Sequence, residues 1–180
     1  TLRLADVVII NKMDSAGPEG IQLVRENISK VNPQAVVIDA ASPISVDDPS
    51  LIKGKRVLVV EDGPTLTHGQ MTIGAGTVAA RKFGAAECVD PRPFIVGKLG
   101  ETFETYPDIG ALLPAMGYGE QQTRDLEATI NNTDCDAVVI GTPIDLSRVV
   151  NINKPKTRVN YDLQEIGYPD LASVLDDFLS

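Results

Sequence analysis

Short apolar runs alternate with helix-like stripes along this chain, and each run ends in a polar, glycine- or aspartate-bearing stretch. Val7–Ile10 is wholly apolar and β-branched, without the alternation of a half-buried strand, so it predicts a strand covered on both faces. Residues 35–38, 57–60, 87–90 and 137–140 predict further strands, and residues 158–163 an edge strand. Between the first two runs, Ile21, Val24, Ile28 and Val31 recur at three- and four-residue spacing, one apolar stripe of a helix. Pro18 suits that helix's first turn, and Asn32 followed by Pro33 stops it. A second helix is predicted over 76–83, with Gly84 as its C-terminal cap. Further helices are expected over 120–132, where Leu126 and Ile130 are apolar, and briefly over 146–150. The last begins at Pro169, with Leu171, Val174, Leu175 and Phe178 as its buried face. Residues 94–119 are the least regular, a long loop or a set of short pieces, and such loops in compact domains are often functional.

Strands alternating with amphipathic helices predict an α/β fold, a mainly parallel, Rossmann-like sheet with helices on both faces. Such sheets bind ligands at the carboxyl ends of their strands, and the polar stretches fall there: NKMD after VVII, DAAS after VVI, EDGPTLTHG after VLVV, DPRP after ECV and GTPID after AVVI. The Pro-, Ser- and Asp-rich stretch after residue 42 ends in a basic Lys-Gly-Lys-Arg and reads as a linker. The expected division is therefore a first domain over 1–45, a linker over 46–56 and a second α/β domain over 57–180, with one continuous sheet as the alternative.

A length of 180 residues allows one domain with a sizeable core, or one and a half small ones. A net charge of −9, 4% aromatic residues and no tryptophan argue against nucleic acid and anionic membrane surfaces as partners. No apolar run nears the roughly 20 residues that span a bilayer. Cys88 and Cys135 lack metal-ligand spacing and read as small buried hydrophobes of a reducing compartment.

The candidate chemistry concentrates in residues 57–82. Glu61 and Asp62 close an apolar strand and are candidate Mg²⁺ ligands. His68, the single histidine, sits in a Gly- and Thr-rich strand-end loop and is the candidate acid or base. Gly74 and Gly76 would let backbone N–H groups approach a phosphate at a helix N-terminus, with Lys82 on that helix and Arg92 between two prolines as cationic phosphate ligands. Earlier in the chain, Asn11-Lys12-Met13-Asp14 matches N-K-x-D, the base-reading motif of P-loop GTPases. Its carboxylate accepts from guanine's ring N–H and exocyclic amine, which adenine does not present the same way, its asparagine fixes the loop and its lysine stem covers the base. Ala41 and Ser42, again after a strand, would cap the same base. A phosphate-binding G-x-x-x-x-G-K-[ST] sequence is missing from these residues, because Gly54-Lys55 is followed by Arg56 and Gly97-Lys98 by Leu99. Thr1 opens almost directly into an apolar strand, so the fold is expected to be incomplete at this end, with the P-loop in a preceding segment.

The segments ADVVIINKMD, VLVVEDGPTLTHG, GAGTVAARKFGA, DPRPF, LPAMGYG, DCDAVVIGTPIDL and INKP follow one another along nearly the whole chain. Together they resemble the C-terminal part of the cyclic 2,3-diphosphoglycerate synthetase family. That resemblance implies a P-loop NTPase-related, cytoplasmic, ATP-dependent ligase that closes 2,3-diphosphoglycerate into its internal phosphoanhydride with Mg²⁺. N-K-x-D favours guanine, so ATP and GTP both stand as the expected nucleotide. The expected partners are a small phosphorylated substrate and a second copy of the chain. A P-loop GTPase of other role and a non-catalytic binding or dimerisation module are the alternatives.

Overall fold

The computed structural model describes residues 1–63, 73–117 and 119–179. In chain order its strands are β1 (Val7–Ile10), β2 (Val36–Ala41), β3 (Ile44–Val46), β4 (Arg56–Asp62), β5 (Glu87–Cys88), β6 (Leu113–Ala115), β7 (Ala137–Gly141), β8 (Lys156–Tyr161) and β9 (Gln164–Glu165). Its α-helices are α1 (Pro18–Val31), α2 (Ala75–Lys82), α3 (Leu99–Thr105), α4 (Glu120–Asn132) and α5 (Leu171–Leu179). The result is an α/β fold with mainly parallel pairing, in two compact units: Thr1–Pro43 with Tyr161–Ser180, and Ile44–Asn160.

In the first unit the strand order is β1-β2-β9. β1 and β2 run parallel, Val7 opposite Val36 through Ile10 opposite Asp39, joined through α1; β9 pairs antiparallel with the end of β2. Pro18 opens α1, where its missing N–H costs nothing. Asn32 closes it, and its side chain donates from Nδ2 to the carbonyls of Leu2 (3.0 Å) and Ala5 (2.7 Å). α5 starts behind Asp170, whose carboxylate accepts from Ser173 N (2.7 Å). The Ser173 backbone and hydroxyl hold that carboxyl below its usual range. Among the described residues of this unit, the buried apolar ones are only Ile10, Ile28, Ile38, Ala40 and Ala41. Val24 and Val31 on α1, and Leu175 and Phe178 on α5, expected inside, stand exposed. A sheet of three strands, one of them two residues long, has too little surface to cover both stripes.

In the second unit the order is β3-β8-β7-β4-β5, with β6 also on β4. β4 is the axis. β7 runs parallel along one side of it, while β5 pairs with its start and β6 with its end on the other. Hence residues 57–60 have no exposed surface, as a run without alternation requires. α2 ends at Gly84, which takes the left-handed φ of 76° while Ala85 N donates to Ala80 O (2.9 Å). α4 turns Leu126 and Ile130 inward, each worth about 1.5–3 kcal/mol when fully buried. Cys88 and Cys135 are free, pack half-buried against this core, and have thiols that burial pushes above their ordinary range.

Three expectations about organisation change. Residues 46–56 are not a linker between domains: Val46 ends β3, Asp48 caps a short 3₁₀ turn at Pro49–Leu51, and Arg56 begins β4, all within the second unit. The last twenty residues belong to the first unit, because β9 pairs with β2. β8 is not an edge strand but lies between β3 and β7. The irregular stretch 94–119 carries α3 and β6, and is tied to α4 by side chains. Asp125 accepts from Lys98 N (3.2 Å) and Gln121 Nε2 (2.8 Å), and Thr129 Oγ1 accepts from Val96 N (3.0 Å).

Candidate functional site

The loop after β1 is held in one shape by its own short polar side chain and by the neighbouring strand. Asn11 Oδ1 accepts from Lys12 N (2.7 Å). Lys12 then takes φ 62°, the left-handed region, alone among the described non-glycine residues. A β-carbon there costs free energy, and such strain persists where neighbours over-determine it. They do so here: Lys12 O accepts from Ser15 N (3.1 Å) and Ala16 N (3.0 Å), and Met13 N donates to Ala40 O (3.1 Å) on β2. Asp14 Oδ1 accepts from Ser42 N (3.0 Å), just past the end of β2. The parallel pairing of β1 and β2 thus brings Asn11, Lys12, Asp14, Ala41 and Ser42 together at the carboxyl ends of two adjacent strands. Asn11, Lys12 and Asp14 are exposed. With Oδ1 braced, Asp14 presents a carboxylate of fixed orientation, able to accept from paired N–H donors.

The loop after β4 is built differently from its sequence reading. Glu61 is not open to a metal: it is 1% exposed, and both its oxygens are occupied. Oε1 accepts from Gly74 N (3.1 Å), Thr77 N (2.7 Å) and Thr77 Oγ1 (2.9 Å), and Oε2 from Gly76 N (3.1 Å). The positive end of the α2 dipole and its unpaired N–H groups, the features that suit a phosphate, are occupied by this internal carboxylate. Burial pushes the Glu61 carboxyl above its ordinary range, against the pull of the Thr77, Gly76 and Gly74 donors. Gly74 and Gly76 are small because Glu61 lies against them, and a β-carbon on Gly76 would also meet Val59 Cγ1 at 2.8 Å. Gly141 closes the same nest from β7: a β-carbon there would stand 2.6 Å from both Glu61 Oε2 and Gly76 N. Gly141→Ala is therefore expected to destabilise the protein by about 1–3 kcal/mol through overpacking, read as a lower urea midpoint at unchanged slope.

Lys82 and Arg92 do not join a phosphate site. Lys82 lies at the far end of α2 from Gly74, with Nζ donating to Ile44 O (2.8 Å) and stacked on Phe83 at 5.6 Å. Arg92 pairs with Asp90 (2.9 Å), donates to Ile109 O and lies 4.8 Å over the Phe103 ring, pinning the 94–119 stretch. Asp62 ends β4 half-buried. Among the described residues no three His, Cys, Asp or Glu side chains gather to hold a metal ion. Glu61, with both oxygens filled by the Gly74, Gly76 and Thr77 donors, does not fit the expected role of Mg²⁺ ligand. His68 lies outside the described residues. Sequence reasoning missed Thr77, which supplies two of the Glu61 donors, and Asp125; each acts through bonds to residues 16 and 27 positions away, which no local pattern marks. Among the described residues no helix is long and apolar enough to cross a membrane.

No family model matches the chain. Over 176 residues it is 62% identical to arginine synthetase ArcE of Thermococcus kodakarensis, a match that covers 98% of this chain and 39% of that protein. This similarity corrects the expected activity. The likeness to ring-closing diphosphoglycerate synthetases rests on sequence segments alone, whereas the relative that matches over nearly the whole chain is named for arginine synthesis. Closure of a phosphoanhydride is set aside with it, as is the reading of the chain as a P-loop GTPase.

Proposed function

We infer that this chain is part of an ATP-dependent ligase that forms arginine, and that the loops after β1 and β2 hold the purine of its nucleotide. The observation that supports the activity is the 62% identity to an arginine synthetase across nearly the whole chain. The observation that supports the location is the Asp14 carboxylate braced on Ser42 beside the strained Lys12.

The chemistry joins the two. Arginine's guanidinium carbon carries three nitrogens. Setting the last of them in place of an oxygen means displacing a group that does not leave unaided. Phosphoryl transfer from the nucleotide to that oxygen makes it a phosphate; ammonia then attacks the carbon, and the C–O bond breaks with phosphate as the leaving group. The residues described here contribute by fixing the purine, so that the triphosphate end is presented in one place. Glu61 has no ligand role in this scheme and keeps the β4 and α2 ends together.

Full-length protein supplied with a ureido amino acid of arginine's length, ammonium, Mg²⁺ and ATP is expected to release arginine and inorganic phosphate in equal amounts. Omitting the nucleotide should stop both. No arginine with ATP or with GTP would overturn the reading.

A further inference from the structure

The first unit leaves its apolar surface unfinished in a way that the second does not. Among the described residues, every exposed large apolar side chain except Val78 and Ile144 belongs to the first unit. Leu23 on α1 is 58% exposed and Phe178 on α5 76%, although both helices carry apolar stripes. Soluble monomers seldom leave so many large apolar positions open in one small unit, and such surfaces mark sites of association. Strand β1 has the same character. It is apolar at all four positions, as strands covered on both faces are, yet among the described residues it pairs only with β2. Its register and the bond from Val36 N to Asp6 O turn the backbone groups of Val8 and Ile10 toward β2, and those of Val7 and Ile9 toward the open edge.

We propose that this open edge of β1 and the exposed faces of α1 and α5 are an internal docking surface, covered in the full-length protein by a further α/β segment whose strand adds parallel to β1. Two observations favour this occupant. The matched synthetase is far longer, this chain spanning 39% of it, so the protein it resembles contains enough additional chain to supply the layer. A β1 edge meeting its own copy across a two-fold axis would pair antiparallel, whereas an all-apolar four-residue strand suits the interior of a parallel sheet. The surface is separate from the strand-end loops assigned to the nucleotide, so the two readings fail independently.

Residue-resolved hydrogen exchange on the full-length protein tests it with an internal reference. The amides of Val8 and Ile10 bond to β2 in either case. Val7 and Ile9 are expected to exchange within about tenfold of them, because the added strand protects the outer edge. Exchange of Val7 and Ile9 a hundredfold or more faster than Val8 and Ile10 would overturn the proposal. So would protection that vanishes on dilution as a sedimenting dimer separates, since the edge would then be taken by a second copy.

Discussion

Glu61→Ala is expected to cost about 3–5 kcal/mol of folding stability, through buried donors left without an acceptor and the void that the side chain leaves. The substitution deletes the acceptor for three backbone N–H groups and one hydroxyl in a place where Glu61 is 1% exposed. Each buried donor left alone costs about 1–3 kcal/mol, and the missing carboxyl leaves a void among Gly74, Gly76 and Gly141. These losses share one site and will not sum. Even so, the total is a large part of the 5–15 kcal/mol that a folded domain typically holds. Glu61→Gln keeps one acceptor oxygen and sets an amide N–H₂ against a donor, so about 1–3 kcal/mol is expected there. Urea unfolding of the two variants checks both values. A loss under about 1 kcal/mol for Glu61→Ala would show that the α2 terminus does not depend on this carboxylate.

The same residue shows where reading from sequence stopped. The α/β class, α1 from Pro18 to the Asn32 stop, the Gly84 cap and the central place of residues 57–60 all followed from periodicity and from the backbone chemistry of Pro and Gly. The association of Asp14 with Ser42 was also readable, because adjacent parallel strands bring their carboxyl ends side by side. An acidic residue at a strand end and a glycine pair at a helix start, however, each look like half of a phosphate site. That they satisfy each other depends on how α2 returns to β4, which periodicity does not encode. Arg92 misled in the same way: an arginine between prolines resembles an anion ligand until Asp90, Ile109 and Phe103 surround it. The stripes on α1 and α5 were read correctly as apolar, and only their expected cover was misplaced.

The second large effect concerns the nucleotide. Asp14→Asn retains an oxygen for the Ser42 N–H, so the loop keeps its brace, but it replaces a charged acceptor with a neutral amide where the purine presents N–H donors. Hydrogen bonds to a charged acceptor contribute about 1.5–3 kcal/mol each; guanine offers two, a ring N–H and an amine, and adenine only its amine, so binding should weaken by about a hundredfold or more for GTP and about tenfold or more for ATP. Folding stability should change little, because Asp14 is exposed and its bond to Ser42 survives. Asn11→Ala should also weaken binding, by releasing the Lys12 amide that holds the left-handed turn.

Calorimetric titration of full-length wild-type protein and its Asp14→Asn variant with ATP and with GTP, in Mg²⁺, is the most direct test. Saturable one-site binding of at least one of the two nucleotides, weakened by Asp14→Asn about tenfold or more for ATP or about a hundredfold or more for GTP while thermal unfolding is unchanged, is the predicted result. Equal affinity of the two proteins for the nucleotide that binds would place the base elsewhere and contradict the assignment of these loops.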